Sequence, residues 1–282
     1  MDRIVVGVDP SEAGAAALRW AVREAVSRQV PLEAVRAWSP SAYAMEYAAY
    51  VSFEVEPPEI VAAQQLADEQ LKLATEQVPG ADGISCTATT VRGMPAQVLV
   101  DQSVGALMVV VGSRGHGALS RAVLGSVSSS VLHHATGQVV VVPEPRESDG
   151  SPGRVLVGLD HSAPSTTALT VAAEHARRHG MTLVPVYVHL PVYGDVAGSG
   201  TPGLEAGERR TMLLAAESVG GVDVQPEVVV GHPGSTLNLM AHPQDLLVLG
   251  SRGRGGFEGL LLGSVSTQAA QHASCPVLVV RA

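Results

Sequence analysis

Short continuous apolar runs alternate along this chain with longer stretches in which apolar residues recur every three or four positions. In the first half the runs fall at 3–9, 31–37, 86–92, 107–112 and 138–142, and the periodic stretches at about 12–28, 58–77, 95–104 and 126–136. In the second half the runs fall at 154–160, 181–189, 222–230, 245–250 and 276–281. Runs apolar at consecutive positions suit strands buried on both faces, and the three-to-four spacing suits helices. Strands alternating with helices predict a parallel sheet covered on both faces, an α/β fold wound in both directions.

The pattern is written twice. GSRGHGALSRAVLGSVSSSVLHHA begins at Gly112 and GSRGRGGFEGLLLGSVSTQAAQHA at Gly250, with 12 of 24 paired positions identical and the identities gathered on glycines and small hydroxyl residues. Arg3-Ile4-Val5-Val6-Gly7-Val8-Asp9 answers Arg154-Val155-Leu156-Val157-Gly158-Leu159-Asp160 at an offset of 151, whereas the glycine segments are offset by 138. Gly93-Met94-Pro95 answers Gly231-His232-Pro233 at the shorter offset, so the first half carries 13 extra residues between Trp38 and Gly93. PEPRESDGSPG at 143–153, with three prolines and two glycines, reads as a linker. The expected domains are 1–143 and 154–282, joined by 144–153.

Each glycine segment begins where an apolar run ends, and its Gly125-Ser126 or Gly263-Ser264 opens a helical stretch. Glycines admit an anion close to the backbone, and the unpaired N–H groups of a helix start supply donors and partial positive charge. A phosphate cradle is expected, with positive φ at Gly115 and Gly253. A doubly wound sheet places ligands beyond the carboxyl ends of its strands, which would bring Asp9 to the Gly112 cradle and Asp160 to the Gly250 cradle. Each aspartate also precedes a helix, beside Ser11 or Ser162. Helix capping by Ser or Asp is therefore open next to contact with a ribose hydroxyl or, through water, a Mg²⁺ ion.

The chain resembles the universal stress protein family, in the tandem two-domain form found in actinobacteria. The resemblance rests on glycine, two residues, glycine, nine residues, Gly-Ser, intact from Gly112-Ser113-Arg114-Gly115 to Gly125-Ser126 and from Gly250-Ser251-Arg252-Gly253 to Gly263-Ser264. It implies two five-stranded sheets of order 3-2-1-4-5 that bind ATP, with the cradles on phosphates and ribose. Gly7, Asp9, Gly158 and Asp160 would then lie near adenine or ribose, and Ala37 and Val188 beside the base. Ser113, Ser251, Ser126-Val127-Ser128 and Ser264-Val265-Ser266 would serve the phosphates. The halves differ where Asp245 stands against Leu107 and Arg121 against Gly259. Arg121 is a candidate for a terminal phosphate, or else a solvated loop residue.

Composition narrows the alternatives. A net charge of −9 and a single lysine, Lys72, leave no basic stripe for nucleic acid. The P-loop pattern GxxxxGK[ST] and the GxSxG elbow are absent, and a dinucleotide GxGxxG would follow strand 1, not strand 4. Cys86 and Cys275 are isolated and fit a reducing compartment. Asp2-Arg3 runs straight into the first strand, so no signal peptide is expected, and no apolar run approaches the ~20 residues of a membrane span. The ten histidines are read as offering no metal-ligand spacing, so no protein-held metal is expected, and the expected location is cytoplasmic. The valine-rich final strands VVVV at 139–142 and VLVV at 277–280 are expected sheet edges that pair across domains, within one chain or between chains, in a tandem expected to form a homodimer. Tyr43, Tyr47, Tyr50 and Phe53 in the inserted segment read as a surface loop, or as a lid or partner contact. The expected function is an ATP-binding stress-response protein whose nucleotide occupancy changes conformation or partner, with at most weak ATPase activity. The rivals are a slow ATP-hydrolysing enzyme and a structural dimer module with vestigial sites.

Overall fold

The computed structural model describes residues 2–39, 58–115, 124–147, 150–190, 202–217, 220–253 and 261–281. The chain divides into two compact units, with the boundary between Glu144 and Pro145. Tyr43, Tyr47, Tyr50, Phe53 and Arg121 lie outside the described residues.

The first unit comprises β1 (Ile4–Gly7), α1 (Glu12–Arg28), β2 (Leu32–Trp38), α2 (Pro58–Glu76), β3 (Cys86–Arg92), α3 (Pro95–Gln102), β4 (Met108–Gly112), α4 (Ser126–His134) and β5 (Gln138–Val142). All its strand pairs are parallel, in the order β3-β2-β1-β4-β5, with Ile4 opposite Leu32 on one side and Met108 on the other. α1 and α2 pack together, as do α3 and α4, one pair for each face of the sheet. Strand residues such as Val5, Val109 and Val140 are therefore wholly buried, which is why the apolar runs are continuous.

The second unit repeats this with β6 (Arg154–Leu159), α5 (Ala163–His179), β7 (Thr182–His189), α6 (Pro202–Glu217), β8 (Glu227–Val230), α7 (Pro233–Met240), β9 (Leu246–Gly250), α8 (Ser264–His272) and β10 (Val277–Val280). Its order is β8-β7-β6-β9-β10, again all parallel. The expected strand at 222–230 shortens to Glu227–Val230. Pro226 lacks the N–H needed to continue the ladder, and upstream of it only an isolated bridge between Leu183 and Val224 remains.

Asp245, which stands against Leu107 in the repeat, acts away from the strands' carboxyl ends. Its buried carboxylate accepts from Arg154 N (2.8 Å), Arg154 Nη2 (2.8 Å) and His242 N (2.9 Å), tying the starts of β6 and β9 together. In the first unit Arg3 pairs instead with Glu33 (2.9 Å) and reaches Gln102. The substitution exchanges one lock at the strand starts for another. His175 and His179 do form an HxxxH spacing, contrary to the reading that the histidines offer none, and stack on α5 with centroids 4.2 Å apart.

Candidate functional site

A cleft opens at the carboxyl end of each unit's strands 1 and 4, about 490 Å³ in the first and 550 Å³ in the second. Both lie within the range of roughly 300–1,000 Å³ usual for small-molecule sites. The first is bounded by Gly7 at the end of β1 and Asp9 just beyond it, Ala37 on β2, and a cradle wall of Gly112, Gly115 and Gly125. Ser126, Val127 and Ser128 complete it at the start of α4. The second repeats this with Gly158, Asp160, Val188, Gly250, Gly253 and Gly263. There the start of α8 supplies Ser264, Val265 and Ser266. Ser113 and Ser251 do not reach either wall: they are buried beneath the cradles, where their backbone N–H groups donate to Val142 and Val280 (2.7 Å each).

The helix starts at each cleft are finished differently. After strand 1, Ser11 Oγ accepts from Gly14 N (3.0 Å) and Ser162 Oγ from Ser165 N (3.3 Å), so serines cap α1 and α5. Asp9 and Asp160 are not caps. Their Oδ1 atoms accept from the cap hydroxyls, at 2.5 Å from Ser11 and 2.6 Å from Ser162, holding those serines in place. α4 and α8 begin on Gly125 and Gly263, with no side-chain cap at either. Their first N–H groups face the clefts with no intrahelical acceptor.

Nor do the hydroxyls of Ser128 and Ser266 reach toward a ligand. Each is buried and donates to the carbonyl at the end of strand 4, Gly112 O at 2.5 Å and Gly250 O at 2.7 Å. What these residues offer a ligand is backbone N–H. Ser126 and Ser264 stand exposed at the helix starts.

The glycines are required by proximity, not by dihedral angle. Neither Gly115 nor Gly253 has positive φ. A Cβ on Gly115 would stand 2.8 Å from Asp9 Oδ2, and one on Gly253 would collide with Asp160 Oδ2. A Cβ on Gly112 would meet the Ala13 and Gly14 backbone at 2.8–2.9 Å, and one on Gly250 the Pro164 backbone at 2.8 Å. The cradle thus sits against the start of the helix after strand 1, with a carboxylate at its edge.

The sequence reading missed the remaining walls. Pro95 and Leu99 of α3, and Pro233 and Leu237 of α7, line the clefts. Their signal was present in the matched Gly-x-Pro triplets, which served there only to set the repeat. Arg114 and Arg252, identical in the two copies, also line the clefts. The wall contributed by strand 2 differs: Arg36 in the first cleft is replaced by Tyr187 in the second, where His161 (5.1 Å) and His189 (4.7 Å) pack around the Tyr187 ring. Arg114 lies 3.5 Å from Glu144. Burial and then the charge of Arg252 pull the Arg281 guanidinium below its usual value.

Two α/β units, each with a glycine-lined cleft at its topological switch point, define a tandem of doubly wound α/β units. The universal stress protein family model matches residues 1–143 and 152–281, and the chain belongs to that family. It is 38% identical over 285 residues to a universal stress protein of Mycolicibacterium smegmatis, covering 99% of this chain and 96% of the relative. A universal stress protein of Mycobacterium tuberculosis is 34% identical over 303 residues, covering 99% of this chain and 94% of the relative. The crystal structure of an Archaeoglobus fulgidus universal stress protein has the same fold, with a TM-score of 0.67 at 22% identity, covering 99% of this chain and 96% of that one. Among the described residues no helix is long and apolar enough to cross a membrane.

Proposed function

We propose that each unit binds an adenine nucleotide, ATP in the first instance, and that occupancy changes conformation or partner choice with little or no turnover. The observation that carries this reading is the contrast between helix starts at one cleft. Those after strand 1 are closed by their own serines, whereas those of the cradles begin on glycine and are left for a ligand. Phosphate suits such an end, because it accepts several N–H bonds and carries charge opposite to that of the helix terminus. The base and ribose extend along the strand ends toward Ala37 or Val188, over the apolar side chains of Leu99 or Leu237. Asp9 and Asp160, beside the cradle glycines, are placed for a ribose hydroxyl or for Mg²⁺ through water.

Slow hydrolysis is the less favoured reading. The carboxylates at the clefts, Asp9 and Asp160, already hold the cap serines through Oδ1, which is a positioning duty and not that of a base. Calorimetric titration with ATP tests the proposal, together with mass spectrometry of the denatured, freshly purified protein for bound nucleotide. Up to two equivalents per chain are expected. No binding, with no nucleotide already present, refutes it, and phosphate release in excess of protein turns the conclusion to an ATPase.

A further inference from the structure

Arg36 Nη1, Thr90 Oγ1 and Gln70 Oε1 of the first unit are buried, and none has a hydrogen-bond partner among the described residues. The three belong to one corner of the sheet. Arg36 on β2 and Thr90 on β3 stand opposite each other in register, so their side chains share a face. α2 packs on those two strands, and its Gln70 donates through Nε2 to Asp9 O (2.9 Å), one residue beyond the point where Val8 N meets Val35 O. Arg36 and Asp9 both line the first cleft, which places the corner at its edge. The fold does not require these groups. In the second unit Tyr187 and Val228 hold the same register positions, and Glu208 stands where Gln70 does at the 138-residue offset. There the rings of His161 and His189 pack on Tyr187, and Glu208 Oε2 meets His161 Nε2 at 2.9 Å, so protein fills the corner.

We infer that this corner of the first unit is an anion site which the second unit does not repeat, and that it takes hydrogenphosphate. Phosphate oxygens accept from the Arg36 guanidinium and the Thr90 hydroxyl, and the phosphate O–H donates to Gln70 Oε1. Buried groups without partners forfeit their solvation, so a ligand that meets all three recovers what the folded chain gives up. The guanidinium supplies the charge, and its hydrogen bonds to an oxyanion are the strongest in the set. The amide oxygen supplies the selectivity. Sulfate has the same tetrahedral acceptors but carries no proton near neutral pH, so it leaves Gln70 Oε1 unmet. Because the corner uses none of the cradle's N–H groups, the inference does not depend on the nucleotide reading.

The test titrates the full-length protein with inorganic phosphate and, separately, with sulfate at fixed ionic strength, read by calorimetry and by tryptophan fluorescence. Trp38 lies two residues beyond Arg36 on the same face of β2 and serves as the nearby reporter. One phosphate phase that moves the fluorescence is expected, with sulfate at least about tenfold weaker in it. Arg36→Gln is expected to weaken that phase by at least about tenfold, and Thr90→Val by about threefold to tenfold. Val228 holds the matching register position in the second unit, so Thr90→Val carries the test even where Arg36→Gln does not fold. Phosphate binding unchanged in both variants belongs to the glycine cradles and overturns the inference while leaving the nucleotide reading intact. Equal binding of sulfate in the Arg36-dependent phase, or no saturable response to phosphate by either readout, overturns it as well.

Discussion

Alanine at Gly115 separates two reasons for a glycine. With φ outside the positive region, the backbone there can accept an L-residue, so the cost must come from what the new methyl meets. It would stand 2.8 Å from Asp9 Oδ2, about 0.6 Å inside the 3.4 Å at which ordinary contact begins. Asp9 is not free to give way, because its Oδ1 accepts from Ser11 Oγ (2.5 Å) and Ser11 N (3.2 Å), and Ser11 caps α1. If the carboxylate stays, overpacking of this kind costs about 1–3 kcal/mol. If it swings away, two hydrogen bonds at roughly 0.5–1.5 kcal/mol each are lost, which comes to about the same. Trp20 and Trp38 are the chain's two tryptophans and both belong to the first unit, so urea unfolding followed by tryptophan fluorescence reads the unit that contains Gly115. Asp9→Ala removes the obstacle, so Gly115→Ala is expected to cost little in that background, with a coupling of about 1–2 kcal/mol across the double-mutant cycle. A cost under about 0.5 kcal/mol in the native background, or an equal cost in both, would refute the collision as the reason for the glycine.

Ser128→Ala is expected to lower first-unit stability by about 1–2 kcal/mol, because it removes a buried hydroxyl that donates to the half-buried Gly112 carbonyl, whereas exposed Ser126→Ala stays within about 0.5 kcal/mol; the reverse order in urea would show that the hydroxyl roles are misassigned. Cys275, buried and with its thiol pushed up to about 12 chiefly by desolvation, is expected to resist a disulfide reagent at pH 8 until the protein is denatured, whereas half-buried Cys86 reacts slowly in the native state. Its raised native value also makes the unfolded chain lose this proton first, so stability is unaffected below pH 9 and falls by up to ~1.4 kcal/mol per pH unit from about 9 toward 12, a limb that Cys275→Ala should flatten.

The fold was legible wherever burial on both faces left no alternative to an apolar run. Val139–Val142 reads directly as a strand buried on both faces, and Ser11-Glu12 and Arg28 mark the two ends of α1. Residues 222–226 misled because their valines match the strand pattern while Pro226, a single missing donor, decides the pairing. At the site, glycine spacing identified the cradle but not why each glycine is there. Gly115 and Gly253 lie against carboxylates contributed from over a hundred residues away in one case and over ninety in the other. Leu99 and Leu237 escaped notice because a leucine lining a cleft and a leucine in a core have the same pattern. Ser126 and Ser128 are equally opaque in sequence: two serines in one helical turn, one exposed and the other turned down onto a carbonyl.

Serine therefore fills opposite parts at a single cleft, and the arrangement has an energetic consequence. A side-chain cap is worth about 0.5–2 kcal/mol to a helix, and α1 and α5 have one. α4 and α8 forgo it, in both copies, although each has a serine within its first turn. In each helix the buried serine, Ser128 or Ser266, is committed to the end of strand 4, and this fixes the helix start against the cradle without covering its N–H groups. A ligand at about 100 times its dissociation constant adds about 2.7 kcal/mol to the stability of the unit that binds it, more than the missing cap withholds. Under the proposed function, each unit is thus left short of stability at the point where the nucleotide's anion would arrive. Binding would then stabilise the junction of strand 4, α4 and the Asp9-supported start of α1, or the corresponding junction in the second unit, and the proposed change of conformation would start from there.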